Sequence, residues 1–448
     1  MAVYRAGMWL YASNLVAQLG GYLFWFVAAA TVKAEALGEV AYLAAVASIL
    51  AFVLQLGVPT ALARLYPATR DSTYVSSALA LTLIGAAAAA LTALWRPSLA
   101  LLTVVGVLST YYGAYFQAML DTFPIFIATL TGQAARVVLA LLLARYGPEA
   151  LAATYAIPGA ILTALGAAAS RASPSPTKIR ELVKAGAAVW LPGVVSVLGT
   201  NLGVVAAYNL ANPETAGYVY IAQVLANAAV GPATIITGVL LPYLSSTERK
   251  EAGAEKAARL SLAISLPLAA VLIFGGRNFL ELLGAHYVQA YPALVIYTVA
   301  NTLSLPASVL SSLTYAQGAY ATFLAGGLAS NTARVILYLL YGASAEGVAA
   351  SFLAGTIVAL AYYAAVQRRV AMSISRISPK IAVTAVPAAM AALGIAPAAA
   401  GAALGYAAAL KLHIVTRAEV AEMARQVLPD PIYVKAAPLA SKLLDILD

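Results

Sequence analysis

An apolar helix with an arginine inside it occurs twice in this chain. Ala135-Arg136-Val137-Val138-Leu139-Ala140-Leu141-Leu142-Leu143 returns as Ala333-Arg334-Val335-Ile336-Leu337-Tyr338-Leu339-Leu340-Tyr341. An internal repeat constrains architecture before anything else in a sequence does. The repeated unit also looks like hydrocarbon-spanning helix, where a charged side chain costs several kcal/mol and marks a functional position by default.

Composition agrees that the surroundings are lipid. The chain is 62% hydrophobic and 10% charged, with mean hydropathy +0.87, against roughly 25% charged in soluble domains. Apolar stretches recur at the length of roughly 18 to 25 residues needed to cross about 30 Å at 1.5 Å per residue. Fourteen spans are counted, at 8–31, 40–62, 75–95, 98–119, 123–144, 150–170, 184–210, 216–244, 258–276, 288–313, 319–341, 346–366, 381–396 and 398–415. The first lacks the short apolar region and small-residue cleavage site of a secretory signal and is expected to stay in the mature protein. Cysteine is absent, which removes disulfides, thiolate catalysis and cysteine metal ligands. His286 and His413 are the two histidines, too few for a metal cluster. No GxxxxGK[ST] loop is present, and neither metal nor cofactor is expected.

Positive residues are retained in cytoplasmic loops, so their placement orients the chain. With the N-terminus inside, 20 of the 26 Lys and Arg lie on the cytoplasmic side, four (Lys33, Arg96, Arg145, Arg277) lie outside, and Arg136 and Arg334 lie within spans. Both termini are then cytoplasmic and the protein is expected in the cell membrane. The net charge of +9 reads as this orientation signal plus attraction to anionic headgroups, worth about 1 kcal/mol per residue near the surface. The charges form no basic domain, so nucleic acid is not an expected partner.

The repeat extends beyond its arginine. Glu149, Ala152, Ala153 and Arg171 match Glu346, Ala349, Ala350 and Arg368 after a one-residue shift, and Glu35 and Gly38 correspond to Glu214 and Gly217. The expectation is an all-α polytopic protein with two parallel six-helix repeats around a central cavity and a further C-terminal pair. Its parts are an N-lobe over 1–171, a cytoplasmic linker over 172–183, a C-lobe over 184–369, the last two spans within 370–416, and an amphipathic cytoplasmic tail over 417–448.

Helical spacing nominates residues for the cavity. Tyr11, Asn14, Gln18 and Tyr22 share a face of the first span; Tyr220, Gln223 and Asn227 share one in the eighth, followed by Gly231-Pro232; Gln55 precedes Gly57-Val58-Pro59 in the second. Both Gly/Pro positions predict bent helices. Amides that only join helices, at about 0.6 kcal/mol each, are the plainer alternative. Arg136 follows Gln133 by three positions and Arg334 follows Asn331 likewise, so each half offers an amide and a guanidinium on one face. A guanidinium can take phosphate with two parallel hydrogen bonds; the alternative is an Arg that snorkels or caps carbonyls. All 17 carboxylates fall in loops, helix ends or the tail. A carrier of lipophilic cations, or one driven by a buried carboxylate, needs an acid near the midplane. The interior instead suits an anionic, polyhydroxylated substrate.

Three segments, Gly21-Tyr-Leu-Phe-Trp-Phe-Val-Ala-Ala-Ala30, Leu37-Gly-Glu-Val-Ala-Tyr42 and Leu56-Gly-Val-Pro-Thr-Ala-Leu-Ala-Arg-Leu-Tyr-Pro67, resemble the Wzx-type polysaccharide biosynthesis flippases of the multidrug/oligosaccharidyl-lipid/polysaccharide (MOP) superfamily. The resemblance covers about 1–370 and implies two lobes facing a cationic cavity, alternating access, and passage of a polyprenyl-linked oligosaccharide with its phosphate inside and its tail in the membrane. Arg64 stands in the third segment near the cytoplasmic mouth, where it would first meet the headgroup or serve as an ordinary positive-inside residue. The chain departs from the family's strongly basic cavities in having few interior cations. The expected function is a flippase that catalyses no covalent chemistry and carries a polyprenyl-phosphate- or diphosphate-linked oligosaccharide to the outer leaflet. Expected partners are that substrate, membrane lipids and glycan-assembly enzymes, with the protein a monomer. The alternatives are a drug or metabolite exporter of the same superfamily, or a membrane glycosyltransferase or polymerase using Arg277, Glu281 and His286.

Overall fold

The computed structural model describes residues 2–416 together with Glu419. Nearly all of the expected tail, 417–448, lies outside the described residues. Within them the chain is helical and no strand occurs. The first half supplies α1 (Ala2–Thr31), α2 (Ala34–Leu54), α3 (Val58–Thr69), α4 (Thr73–Ala90), α5 (Pro97–Ala118), α6 (Phe123–Leu143), α7 (Pro148–Ala153) and α8 (Ile157–Ala169). Then follow α9 (Ile179–Leu210), α10 (Pro213–Ser246), α11 (Lys250–Leu283), α12 (Tyr291–Ala316), α13 (Tyr320–Tyr341), α14 (Ala345–Val366), α15 (Arg368–Val383) and α16 (Ile395–Lys411).

The helix starts follow from local chemistry. Proline sits in the opening positions of α3, α5, α6, α7, α8 and α12, where its missing N–H has no intrahelical partner to lose. Glu35, Glu149, Glu181, Glu214, Glu251 and Glu346 each lie in a first turn, facing the positive end of the helix dipole.

Each of the first twelve expected spans falls on helical backbone; the sixth passes through a 3-10 turn at Thr154–Ala156 between α7 and α8, and the second has a break. The second divides at Leu56 (φ 50°) and Gly57 (φ 72°) into α2 and α3. A Cβ on Gly57 would also lie 2.4 Å from the Gly186 carbonyl oxygen, so both its backbone conformation and the approach of α9 require glycine there. The expected bend at Gly231-Pro232 is not a break, and α10 continues through it.

The count of fourteen spans is not confirmed among the described residues. Eleven described helices are long and apolar enough to cross a membrane, and the last expected pair takes another form. Residues 381–383 end the amphipathic α15, which buries Val370, Ile374 and Ile381 while Arg368, Arg369, Arg376 and Lys380 stay exposed. A 3-10 helix over Val386–Leu393 and then α16 follow. At about 2 Å per residue the first spans only about 16 Å, and α16 at 1.5 Å per residue about 25 Å.

The contacts divide the chain into two compact units. The first comprises Met1–Val224 and Asn331–Phe352. In it α1 packs on α6, α2 on α5 and α9, and α4 on α5. The linker is stitched to α4: Ser175 N–H donates to the Ser76 carbonyl at 3.2 Å and Lys178 N–H to Ser77 Oγ at 3.0 Å. Glu181 accepts from the Tyr74 hydroxyl and, at 2.9 Å, from Lys178 Nζ. The second unit comprises Leu225–Ser330 and Leu353–Asp448. There α11 packs against α12, α15 and α16 around Leu260, Leu305, Leu310, Val370 and Ile374. Asn278 Nδ2 donates to the Ala391 carbonyl at 3.0 Å, and the Tyr406 hydroxyl to the Ile264 carbonyl at 2.8 Å, docking the C-terminal pair.

Candidate substrate-binding site

Arg136, on α6, is 3% exposed. Its Cζ lies 3.8 Å from the Phe24 ring centroid and 3.9 Å from that of Tyr155. Those rings are 5.9 Å apart and inclined at 71°, so the guanidinium occupies the corner between them. Nη1 donates to Gln133 Oε1 at 3.4 Å, while Nε–H and Nη2–H have no partner within hydrogen-bonding geometry among the described residues. Cation–π contact offsets about 2 kcal/mol of the desolvation cost, which leaves those two N–H groups uncompensated. Together they form the side-on fork that matches two oxygens of one phosphate or carboxylate.

The second half repeats the arrangement. Half-buried Arg334, on α13, has its Cζ 4.0 Å from the Phe352 ring centroid, and its Nη1 donates to Asn331 Oδ1 at 3.4 Å. Tyr155 and Phe352 correspond under the shift that relates Glu149 to Glu346, so each repeat pairs its arginine with an aromatic three positions beyond its first matched alanine, Ala152 or Ala349. The halves differ at the other ring. Gly203 stands at the counterpart of Phe24, and a Cβ there would lie 3.1 Å from the ring of Tyr338, which replaces Ala140. Tyr338 in turn donates to the Gly199 carbonyl at 3.2 Å. The amides are positioned alike as well: a Cβ on Gly20 would meet Gln133 Cβ at 2.6 Å, and one on Gly199 would meet Asn331 Oδ1 at 2.2 Å.

The repeats meet tightly elsewhere in the same unit. A Cβ on Gly38 would lie 1.8 Å from the Pro213 carbonyl oxygen, and one on Gly217 would lie 2.1 Å from that of Ala34. The first turns of α2 and α10 are thus in backbone contact through two repeat-related glycines. Nearby, Tyr42 stacks on Tyr208 at 4.0 Å, and Arg96 Nη1 pairs with Glu39 at 2.5 Å and Glu149 at 2.7 Å. The hydrogen bonds that Arg96 donates to Glu149 and Glu39 raise its pKa above the ordinary value. Trp25 and Tyr220 join α1 to α10 with centroids 4.2 Å apart.

The remaining nominated residues occupy varied surroundings. Gln55 closes α2, donates from Nε2 to the Gly106 carbonyl at 3.4 Å, and lines a cavity of about 360 Å³ in the first unit. Asn14 and Gln18 are exposed, because α1 turns Ser13 toward α6, where it bonds Thr129 at 2.8 Å. Arg64 is exposed on α3, and Gln223 is half-buried on α10. Asn227, in the second unit, accepts from Asn301 Nδ2 at 2.8 Å. Arg277 pairs with Glu281 at 3.4 Å along α11, and His286 packs on Tyr287. Sequence reasoning missed Phe24, Tyr155, Phe352 and Asn301. The matched aromatic positions of the repeats carried a signal for Tyr155 and Phe352; nothing local marked the other two.

Residues 3–248 match the polysaccharide biosynthesis protein family. The chain belongs to that family. No curated protein matches this polysaccharide biosynthesis family member significantly in sequence. Among solved structures it shares the fold of the lipid II flippase MurJ in an inward closed conformation, with TM-score 0.75, 14% identity, and coverage of 94% of this chain and 100% of that one. An inward-facing multidrug resistance MATE family transporter of the MOP superfamily superposes with TM-score 0.61 at 17% identity, covering 80% and 95%. A MOP superfamily transporter from Pyrococcus furiosus Vc1 (DSM3638) gives 0.56 at 17%, covering 83% and 96%. This family member is accordingly a multi-pass membrane protein with a MOP-type transporter fold.

Proposed function

We propose that this protein is a flippase for a polyprenyl-phosphate- or diphosphate-linked oligosaccharide, moving it from the cytoplasmic to the outer leaflet of the cell membrane by alternating access. The observation that carries this reading is the duplicated arginine–aromatic pair, with Nε–H and Nη2–H of buried Arg136 unpartnered among the described residues. One anion-matched guanidinium in each repeat suits a headgroup that passes from one half to the other while its tail stays in lipid. The two lobes are residues 1–171 and 184–369, joined by the linker 172–183. Gln133 and Asn331 orient the guanidinium groups; Gln55, Asn14, Gln18, Arg64, Gln223 and Asn227 serve the glycan and its entry. Backbone contact between the first turns of α2 and α10 ties the two repeats together at that end. The protein works as a monomer without covalent chemistry, receiving its cargo from glycan-assembly enzymes.

The test is translocation of labelled polyprenyl-phosphate sugars in proteoliposomes. Arg136→Ala and Arg334→Ala should each slow transport, and the double variant should abolish it. Unchanged transport in the double variant would remove the phosphate assignment. Export of a lipophilic cation with no lipid-sugar translocation would replace the flippase reading by a drug-exporter one.

A further inference from the structure

The cavity beside Gln55 differs in chemistry from the arginine sites. Its volume, about 360 Å³, falls in the range of roughly 300–1,000 Å³ typical of small-ligand sites. Among the described residues no charged side chain lines it. Its aromatic walls are Phe52 and Trp190, and the indole N–H donates to the Val53 carbonyl at 3.0 Å, which fixes that ring. Ser48 donates to the Ala44 carbonyl at 2.8 Å, while Ser109 and Thr110 donate to that of Gly106 at 3.3 and 2.8 Å. With their protons committed to backbone, these hydroxyls offer lone pairs to a guest. Gln55 likewise turns Nε2 to the Gly106 carbonyl and leaves Oε1 without a partner among the described residues.

Thr60 and the second N–H of Gln55 can also donate, but a lining of mostly acceptors without a cation disfavours phosphate and carboxylate, and it leaves a purely apolar guest facing unpaired oxygens. Groups that donate several hydrogen bonds while presenting an apolar face to aromatic rings satisfy both conditions. A neutral pyranose does this, with hydroxyls around its edge and C–H groups on its faces. We propose that this cavity, at the junction of α2, α3, α5 and α9, is a subsite for an uncharged sugar ring of the carried glycan. The assignment rests on the flippase reading for its cargo, but its chemistry is independent of the arginine sites. Division of labour follows: the guanidinium groups take the anionic end and the cavity takes neutral sugar.

Full-length protein in nanodiscs, titrated with octyl glucoside, octyl phosphate and octanol, tests this through tryptophan emission. The glucoside should give a saturable change that disappears in Trp190→Phe, while the phosphate and the alcohol give none. Gln55→Leu and Ser109→Ala should each weaken glucoside binding about five- to tenfold, the effect of one lost hydrogen bond, with size-exclusion and thermal-unfolding profiles unchanged. Phe52→Leu, which leaves the Trp190 reporter in place, should weaken it as well. Equal binding of octanol would make the cavity an acyl-chain slot, and equal binding of octyl phosphate would make it an anion site; either overturns the proposal. Glucoside that fails to bind while lipid-sugar translocation proceeds would sink the subsite alone. Saturable glucoside binding without any translocation would support the subsite and sink the transport reading.

Discussion

At the scale of single residues, the identity of Arg136 matters beyond its charge. Lysine would keep the charge but lose the planar fork, and a hydrogen bond to a charged group is worth about 1.5–3 kcal/mol. Arg136→Lys should therefore transport labelled lipid-linked sugar about tenfold or more slowly than wild type at subsaturating substrate; a rate equal to wild type would show that only charge counts. Outside the membrane, the Tyr74 hydrogen bond, with help from Lys178, holds the Glu181 carboxyl below its ordinary value of 4.5. A depressed carboxyl stabilises the fold above its unfolded pKa, and that contribution is lost as pH falls through the folded value. The drop in thermal stability between pH 7 and pH 3 should be smaller in Glu181→Gln than in wild type. At this scale the sequence was legible where the repeat spoke: Gln133 and Asn331 do contact Arg136 and Arg334, because positions three apart share a helix face. It was silent on Phe24, which reaches Arg136 from another helix.

Between elements, the crossing of α2 and α10 depends on glycine at both repeat-related positions. Alanine at Gly38 or Gly217 would drive a methyl into carbonyl oxygen that belongs to a helix backbone and has little room to shift. Overpacking of this kind costs about 1–3 kcal/mol. Gly38→Ala and Gly217→Ala should each lower the midpoint of thermal unfolding in detergent, whereas Gly21→Ala, which has open space, should not. The helices themselves were readable from hydropathy and proline placement, since a chain in hydrocarbon must satisfy its backbone internally. The C-terminal pair was not. Val386–Leu393 is apolar throughout, yet it coils as a short 3-10 segment docked on α11 through Ala391, and composition does not distinguish a docked segment from a crossing.

For the molecule as a whole, orientation can be tested directly because the chain has no cysteine of its own. A cysteine replacing Ser173 in the linker should react with a membrane-impermeant maleimide only from the cytoplasmic side, and one replacing Ser344, between α13 and α14, only from outside. The reverse pattern would invert the proposed direction of transport. Duplication, helical class and charge asymmetry were all determined by the sequence alone, since each is a one-dimensional pattern that hydrocarbon and headgroups read segment by segment. Tertiary structure alone decided that two rings and an amide surround Arg136, that Gly38 and Gly217 carry a backbone crossing, and that Gln55 opens on an uncharged cavity. Those features bring together residues far apart in the chain, and only the packing of helices against one another specifies which of them meet.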